Sequence, residues 1–148
     1  ACGREYFPRT DPAVIMLITR PGPQGGACLL ARQATWPAGM YSTLAGFVDQ
    51  SESLEEAVAR EVMEEAGILI DPQDVVYRGS QPWPFPSSLM MGFRATASSL
   101  KINISSDELE DARWFTKTQI AGFPDKGLHL PRRDSIAWTL VSDWLEED

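Results

Sequence analysis

The sequence predicts an α/β domain in which helices cover both faces of a mixed β-sheet. The chain has 148 residues, a length that suits one domain with a single core. Short runs of apolar and β-branched residues bounded by turn signals predict strands. These runs lie on both sides of a long amphipathic helix, and that order is typical of layered α/β architectures.

Six strands are predicted along the chain. They are Ala13–Thr19, Ala27–Ala31, Ser42–Leu44, Val75–Gly79, Leu89–Ala97 and Arg113–Phe115. The segment from Arg20 to Gly26 carries two prolines and three glycines, so it predicts a hairpin loop between the first two strands. No apolar run approaches the ~18 residues that a membrane-spanning helix needs.

Two long helices are predicted from capping signals and apolar spacing. The first spans Leu54–Ala66, because Ser51 or Ser53 can cap its start and Gly67 can end it. The second spans Arg133–Leu145, where apolar residues recur at helical spacing. A short third helix is expected after Thr116.

Charge and residue counts limit the classes of function. The net charge is −8, from 21 acidic and 13 basic residues, whereas a general nucleic-acid binder is normally basic. An acidic chain that handles phosphates needs cations to offset the repulsion. The single histidine, His129, excludes sites built on several histidines. Two cysteines make no disulfide framework, which favours an intracellular location, the cytoplasm by default, with an organelle left open.

The first helix carries three carboxylates on one face. At about 100° per residue, Glu61, Glu64 and Glu65 share an arc of about 100°, beside an apolar arc that can face the core. Like charges four residues apart repel. One interpretation is a solvated acidic face that tolerates the cost. The other is a Mg²⁺ site, because Mg²⁺ prefers carboxylate and water oxygens and bridges to substrate phosphates.

The wider pattern favours the second interpretation. Gly46 is followed after five residues by Glu52, and after seven more by Arg60-Glu61-Val62-Met63-Glu64-Glu65-Ala66-Gly67-Ile68. This pattern resembles the Nudix box, and the chain is identified by it as a member of the Nudix hydrolases. The resemblance implies an α/β/α sandwich and Mg²⁺- or Mn²⁺-dependent cleavage of a diphosphate linked to another group.

The resemblance also implies roles for the box residues. Glu61, Glu64 and Glu65 would be catalytic, with Glu61 and Glu65 as metal ligands and Glu64 as an auxiliary one. The Ala45 carbonyl would be a further metal contact. The remaining positions, Gly46, Glu52, Arg60 and Gly67, would be structural: Glu52 and Arg60 brace the loop and helix, and Gly46 permits a tight loop whose backbone carbonyl approaches the metal.

A second motif begins 11 residues after the box. It reads Ser80-Gln81-Pro82-Trp83-Pro84-Phe85-Pro86-Ser87-Ser88. Its prolines predict a stiff extended loop that holds the two aromatic rings, because proline cannot continue a central strand or a helix. A structural turn that pins the rings into the core is the alternative. With the box, the motif resembles the specificity array of the NADH pyrophosphatase subfamily, which implies that residues 81–88 line a dinucleotide pocket.

The subfamily resemblance implies a substrate and further contacts. The reaction would be hydrolysis of NADH or NAD⁺ to nicotinamide mononucleotide and AMP, with removal of an NAD cap from RNA as a related activity. Phe7 and Phe47 are candidates for stacking on a ring, and Ala137 matches a late substrate-contacting position. The alternatives are hydrolysis of ADP-ribose or a dinucleoside polyphosphate, and a non-catalytic module that binds a nucleotide.

One further metal ligand is expected outside the box. Aligned from the array, Glu108 matches the metal-binding glutamate of the subfamily, with Glu110 and Asp111 as alternatives and a solvated acidic turn as the structural explanation.

The N-terminus departs from the subfamily pattern. Cys2 resembles the last ligand of a four-cysteine zinc module whose other ligands are absent, so no complete zinc site is expected. We therefore divide the chain into an N-terminal remnant, residues 1–12, and a catalytic domain, residues 13–148. Cys28 lies in a predicted strand and is expected in the core. The homodimer of the subfamily often uses N-terminal segments, so a homodimer stays an open expectation.

Overall fold

The computed structural model describes residues 3–104 and 108–147. The strands are β1 (Asp11–Arg20), β2 (Ala27–Arg32), β3 (Leu44–Phe47), β4 (Val76–Trp83), β5 (Ser88–Thr96) and β6 (Asp111–Thr116), and the helices are α1 (Leu54–Ala66), α2 (Lys117–Ala121) and α3 (Ile136–Glu146). Among the described residues, no helix combines the length and apolar character needed to cross a membrane.

The sheet is mixed, as predicted. Its strand order is β4-β5-β1-β2-β6, and β3 also pairs with β1. The β1–β5 pair is parallel and the other pairs are antiparallel. One edge of β1 is shared between two partners: its first half pairs with β3, from Ala13 opposite Phe47 to Met16 opposite Leu44, and its end pairs with β2. This arrangement places β3 beside the start of β1.

Two apolar layers enclose the sheet, which confirms the α/β/α sandwich. Successive side chains of a strand point to opposite faces. Accordingly Val14 and Met16 pack with the cluster under α1, whereas Ile15 and Leu17 pack with the cluster under α3. Burial on both faces explains why the β1 sequence is continuously apolar rather than alternating.

Helix α1 forms where the sequence predicts it. The Ser53 hydroxyl accepts a hydrogen bond from the Glu56 amide (3.2 Å), and the Glu56 carboxylate accepts one from the Ser53 amide (2.8 Å). This capping box identifies Ser53, not Ser51, as the cap. Gly67 ends the helix in the left-handed conformation, with φ of 66°.

The proline-rich motif is a hairpin rather than an extended loop. Strand β4 continues through Ser80, Gln81, Pro82 and Trp83, four residues past its predicted end, and β5 begins at Ser88. Proline is tolerated because β4 is at the edge of the sheet, where a missing backbone N–H breaks no ladder on the open side. The loop prediction was wrong for the first part of the motif.

The bounds of β3 and the start of α3 also differ from the predictions, and β1, β2, β5 and β6 differ by one or two residues at one or both ends. Strand β3 spans Leu44–Phe47 instead of Ser42–Leu44, and Ser42 makes only an isolated bridge to Ala31. Helix α3 begins at Ile136 instead of Arg133, because the Ser135 hydroxyl caps it by accepting a hydrogen bond from the Trp138 amide (3.2 Å). The short helix predicted after Thr116 is present as α2.

Candidate active site

A cavity of about 550 Å³ lies where β3 meets α1. It is lined by Gln33, Ala34, Thr35, Ala45, Gly46, Phe47, Asp49, Glu61, Glu65 and Glu108. The structure thus brings together four of the five residues predicted to bind metal: Ala45, Glu61, Glu65 and Glu108. The fifth, Glu64, does not line this cavity, and its side chain is 59% exposed.

Gly46 lies in β3, opposite Val14, rather than in the tight loop expected from the sequence. A Cβ atom built on Gly46 would overlap the Glu61 carboxyl group. The glycine therefore lets the Glu61 side chain cross closely over the strand. Gly46 does not have a positive φ angle, so its backbone conformation does not require glycine. Glycine is needed here because the Glu61 carboxyl group lies so close to the strand.

Arg60 connects the start of the box to the acidic face of α1. Its Nε donates to Glu52 Oε2 (3.0 Å), and its Nη2 donates to the Phe47 carbonyl (2.9 Å). Its Nη1 donates to both Glu61 Oε1 (2.9 Å) and Glu64 Oε2 (3.1 Å). A guanidinium presents several donors in a fixed plane, so one side chain can orient three carboxylates at once.

Burial and mutual repulsion disfavour the ionised forms of Glu61 and Glu65 in the cavity. Burial, followed by repulsion from Glu61, Glu108 and Glu64, raises the pKa of Glu65 to about 8. Burial also raises the pKa of Glu61, although Arg60 opposes this effect. By contrast, the hydrogen bonds from Arg60 lower the pKa of Glu52. The cavity therefore favours a bound cation or a proton at Glu65.

The oxygen donors of the cavity fit a hard divalent cation. Glu61, Glu65, Glu108 and the Ala45 carbonyl line one space, and Mg²⁺ and Mn²⁺ prefer such donors. Within residues 3–104 and 108–147, no three His, Cys, Asp or Glu side chains are already gathered around one ion position.

The cysteines do not add to this site. Cys28 is fully buried in β2, as predicted, and burial raises the pKa of its thiol to about 12. Cys2 lies outside the described residues.

The two alternatives to Glu108 have other partners. Glu110 forms an ion pair with Arg32. Asp111 forms an ion pair with Arg113 (2.6 Å) and accepts a hydrogen bond from the Tyr41 hydroxyl. Of the described acidic residues in this segment, Glu108 lines the cavity, so the geometry favours it as the additional ligand.

A second cavity, of about 230 Å³, adjoins the acidic one and is lined by aromatic rings. The two cavities share Ala45, Gly46 and Phe47, and the second adds Trp83 and Phe85. Its other lining residues are Ala13, Ser88 and Met90. All three rings are solvent-accessible: Phe47 is 59% exposed, Trp83 43% and Phe85 74%. They are not pinned into the core.

Gln81 bridges β4 to the start of α3. Its Nε2 donates to the Asp134 carbonyl (2.8 Å), and its Oε1 accepts from the Ile136 amide (2.9 Å). Both ends of the amide are therefore engaged within the chain. Gln81 also lines a third cavity, of about 390 Å³, whose lining includes Trp83, Phe85 and Arg132.

The rest of the motif shapes the hairpin. Pro82 pairs with Leu89 in the β4–β5 ladder. Pro84 and Pro86 lie in the turn between the strands. The Ser87 hydroxyl donates to Asp11 (3.3 Å), and Ser88 is buried at the start of β5.

Two predicted substrate contacts lie away from these cavities. Phe7 is 83% exposed in the segment before β1 and lines none of the three. Ala137 is 5% exposed and packs in the core beneath α3. Their assignment to substrate stays a prediction.

Four further residues of the acidic cavity were not predicted from the sequence. Gln33, Ala34 and Thr35 follow β2 and line the acidic cavity, as does Asp49. They carry no motif of their own, and only the fold places them beside α1. A loop directly after a buried strand is the one signal that could have indicated them.

Comparison with known proteins identifies the family. A model of the NUDIX domain matches residues 9–139. The chain belongs to the Nudix family. This confirms the family predicted from the spacing of the glutamates. Nudix hydrolases generally use divalent cations such as Mg²⁺ or Mn²⁺, consistent with the oxygen-lined cavity.

Curated Nudix relatives resemble the chain along nearly all of its length. The NAD-capped RNA hydrolase NudC of Stutzerimonas stutzeri is 46% identical over 145 residues, covering 98% of this chain and 48% of the relative. The human NAD-capped RNA hydrolase NUDT12 is 44% identical over 143 residues, covering 94% of this chain and 30% of the relative. The chain thus spans less than half the length of either relative.

A solved structure shows the same fold. The NUDIX domain of Shewanella oneidensis NrtR, crystallised with ADP ribose, superposes with a TM-score of 0.69 at 17% identity, covering 92% of this chain and 86% of that one. At this identity the likeness establishes the Nudix fold alone.

Proposed function

We propose that this chain hydrolyses the diphosphate linkage of NADH and NAD⁺ to nicotinamide mononucleotide and AMP, and that it removes the NAD cap from RNA. One observation carries the proposal: the cavity lined by three glutamates adjoins a cavity lined by three aromatic rings, and Phe47 lines both. A dinucleotide has a diphosphate for the first cavity and a ring for the second. The names of the two curated relatives support this substrate class.

Four oxygen donors would hold Mg²⁺ or Mn²⁺. They are the carboxylates of Glu61, Glu65 and Glu108 and the carbonyl of Ala45. A bound cation neutralises diphosphate charge and stabilises the negative charge that develops during hydrolysis. The chain carries a net charge of −8, so its acidic cavity would otherwise repel an anionic substrate.

The reaction requires a group that orients the attacking water. The water oxygen forms a bond to phosphorus, the bond from that phosphorus to the bridging oxygen breaks, and a carboxylate accepts the water proton. Glu64 and Glu65 are the candidates from the sequence. Glu65 lines the cavity, whereas Glu64 is exposed and hydrogen-bonded to Arg60 (3.1 Å). We therefore assign water orientation to Glu65. Arg60 holds Glu61 in place, and Glu52 in turn holds Arg60.

The aromatic cavity would bind one ring of the dinucleotide. Stacking on aromatic side chains is worth roughly 1–3 kcal/mol per base. Phe47 stands at the border of the two cavities, and the Trp83 and Phe85 rings meet edge to face at 5.7 Å between centroids. A homodimer, a cytoplasmic location and the division of the chain at residue 13 stay predictions from the sequence.

A substrate panel tests the proposal. The purified chain would be incubated with Mg²⁺ or Mn²⁺ and with NADH, NAD⁺, ADP-ribose, a dinucleoside polyphosphate or NAD-capped RNA, and the products separated by chromatography. We expect nicotinamide mononucleotide and AMP from NADH, none with EDTA, and little with Glu65→Gln. Faster cleavage of ADP-ribose or the polyphosphate would replace the proposed substrate. Binding without cleavage would indicate a nucleotide-binding module.

A further inference from the structure

We propose that Arg32, the last residue of β2, is a positioning residue that holds Glu108 at the cation cavity. The inference rests on the proposed function, because that function assigns Glu108 to the cation. Arg32 does not itself line the cavity. It would act on the site through the segments that it joins.

The first of these segments carries Glu108. The Arg32 guanidinium forms an ion pair with Glu110, and the Arg32 carbonyl accepts a hydrogen bond from the Glu110 amide (2.9 Å). Leu109, between the two glutamates, is 4% exposed and belongs to the core under α1. Two consecutive residues after Glu108 are thus anchored, one by packing and one by Arg32, and they restrict the position of Glu108 at the cavity.

The second segment follows β2 and also lines the cavity. Arg32 Nη2 donates to the Pro37 carbonyl (3.4 Å), and the loop between these residues contributes Gln33, Ala34 and Thr35 to the cavity. The Arg32 guanidinium therefore contacts both segments, the one that follows Glu108 and the one that contributes Gln33, Ala34 and Thr35 to the cavity. Its side chain is only 15% exposed, and its Nε is buried with no hydrogen-bond partner among the described residues. Placing a largely buried arginine with an unpaired Nε costs desolvation energy, so stability alone does not explain its position.

The direction in which loss of the Arg32 guanidinium changes cation affinity distinguishes a positional effect on Glu108 from a purely electrostatic effect of Arg32. Arg32 is itself a cation near the site, so removing its charge would by electrostatics alone strengthen the binding of a divalent cation. Loss of Glu108 positioning would weaken that binding. A variant that lacks the guanidinium and binds the cation less tightly would thus reveal the positional effect.

The test measures Mn²⁺ binding by the whole chain, from the electron paramagnetic resonance signal of free Mn²⁺. We expect Arg32→Met to raise the Mn²⁺ dissociation constant by about tenfold, the lower end of the range for residues that orient metal ligands. Arg32→Lys should lose less, because it can keep the ion pair with Glu110. The matched control is Arg94→Met: Arg94 is 22% exposed and ion-paired with Glu147, and it lines neither the acidic nor the aromatic cavity. This control should leave the constant unchanged.

A double-mutant cycle then asks whether Arg32 acts through Glu108. In a Glu108→Gln background, Arg32→Met should add less than a twofold loss, because the ligand it positions is already gone. Additive losses, an unchanged constant in Arg32→Met, or tighter binding would each overturn the proposal. If Arg32→Met does not fold, the same double-mutant cycle with Glu108→Gln is measured with Arg32→Lys and with Glu110→Gln.

The outcomes distinguish this inference from the proposed function. Wild-type protein that binds Mn²⁺ but cleaves no dinucleotide would refute the substrate assignment. The Mn²⁺ dissociation constants of the Arg32 variants would still test the positioning role of Arg32. Cleavage of NADH with no effect of Arg32→Met on Mn²⁺ binding would refute the positioning role of Arg32 and leave the proposed function standing. Wild-type protein that binds no Mn²⁺ would remove the cation assignment and the Arg32 proposal with it.

Discussion

The carboxyl group of Glu61 occupies the space that a side chain on Gly46 would fill. One residue belongs to α1 and the other to β3, so the contact fixes how closely the acidic helix face approaches the strand. Gly46 and Glu61 therefore depend on each other sterically, although 15 positions separate them in the sequence.

This relationship predicts the effect of Gly46→Ala. The backbone at Gly46 suits any residue, and the atoms in the way are the far end of a flexible side chain. The fold should survive while Glu61 is displaced, so we expect turnover with Mg²⁺ to fall by about 100-fold, as for loss of a ligand. The measurement is kcat alongside the melting temperature.

The control for Gly46→Ala is Gly79→Ala in β4. A Cβ on Gly79 would meet nothing within 4 Å, so this variant should keep its activity. Near-normal turnover in a folded Gly46→Ala protein would show that Glu61 is not needed where the structure places it.

Replacing Glu65 with glutamine tests the chemistry directly. The side chain keeps its size but loses its charge and most of its basicity, so we expect turnover to fall by ~100-fold or more. The circular dichroism spectrum should be unchanged. Glu56→Gln, in the first turn of the same helix, is a control for the loss of one carboxylate away from the cavity. Wild-type kcat in folded Glu65→Gln would contradict the catalytic assignment.

The raised pKa of Glu65 predicts how stability depends on pH without a cation. The folded-state pKa of about 8 exceeds the ordinary value of 4.5, so the folded protein binds more protons in between. Its contribution to stability is thus present at low pH and lost as the pH rises toward about 8. In EDTA, the melting temperature should fall over that range.

Two comparisons isolate this dependence. Glu65→Gln should make the pH profile of the melting temperature less steep, because the group with the pKa of about 8 is gone, while Glu61, whose pKa is also raised, remains. Mg²⁺ should raise the melting temperature most at high pH, since it binds the ionised cluster in the native state only. A profile that is the same for wild type and Glu65→Gln would exclude Glu65 as the source.

The sequence predicted the acidic half of the site better than its surroundings. Glu61 and Glu65 lie four residues apart on a helix whose cap and ending glycine are local signals, so their common face follows from helix geometry. The close approach of Gly46 to Glu61 and the placement of Gln33 depend on which strands pair, and this is set by long-range packing. Proline in β4 misled the loop prediction because edge position is a property of the whole sheet.

Selectivity should depend on Phe47. Its ring is 59% exposed at the border of the acidic and aromatic cavities, so it is not a core residue and its removal should leave the melting temperature nearly unchanged. If it stacks on the nicotinamide, Phe47→Ala should lower kcat/KM for NADH by ~10-fold or more, within the range for one stacked ring. The loss for ADP-ribose should be much smaller, because that substrate has no nicotinamide.

A neighbouring ring provides the comparison for Phe47. Phe85→Ala removes an aromatic side chain that lines the aromatic cavity but not the acidic one. It should also affect NADH more than ADP-ribose if the nicotinamide lies there. Equal losses on both substrates in Phe47→Ala would place the ring against the part that the substrates share, the ADP-ribose unit. The aromatic cavity would then select for adenosine diphosphates in general, and preference for NADH would have to arise elsewhere in the chain.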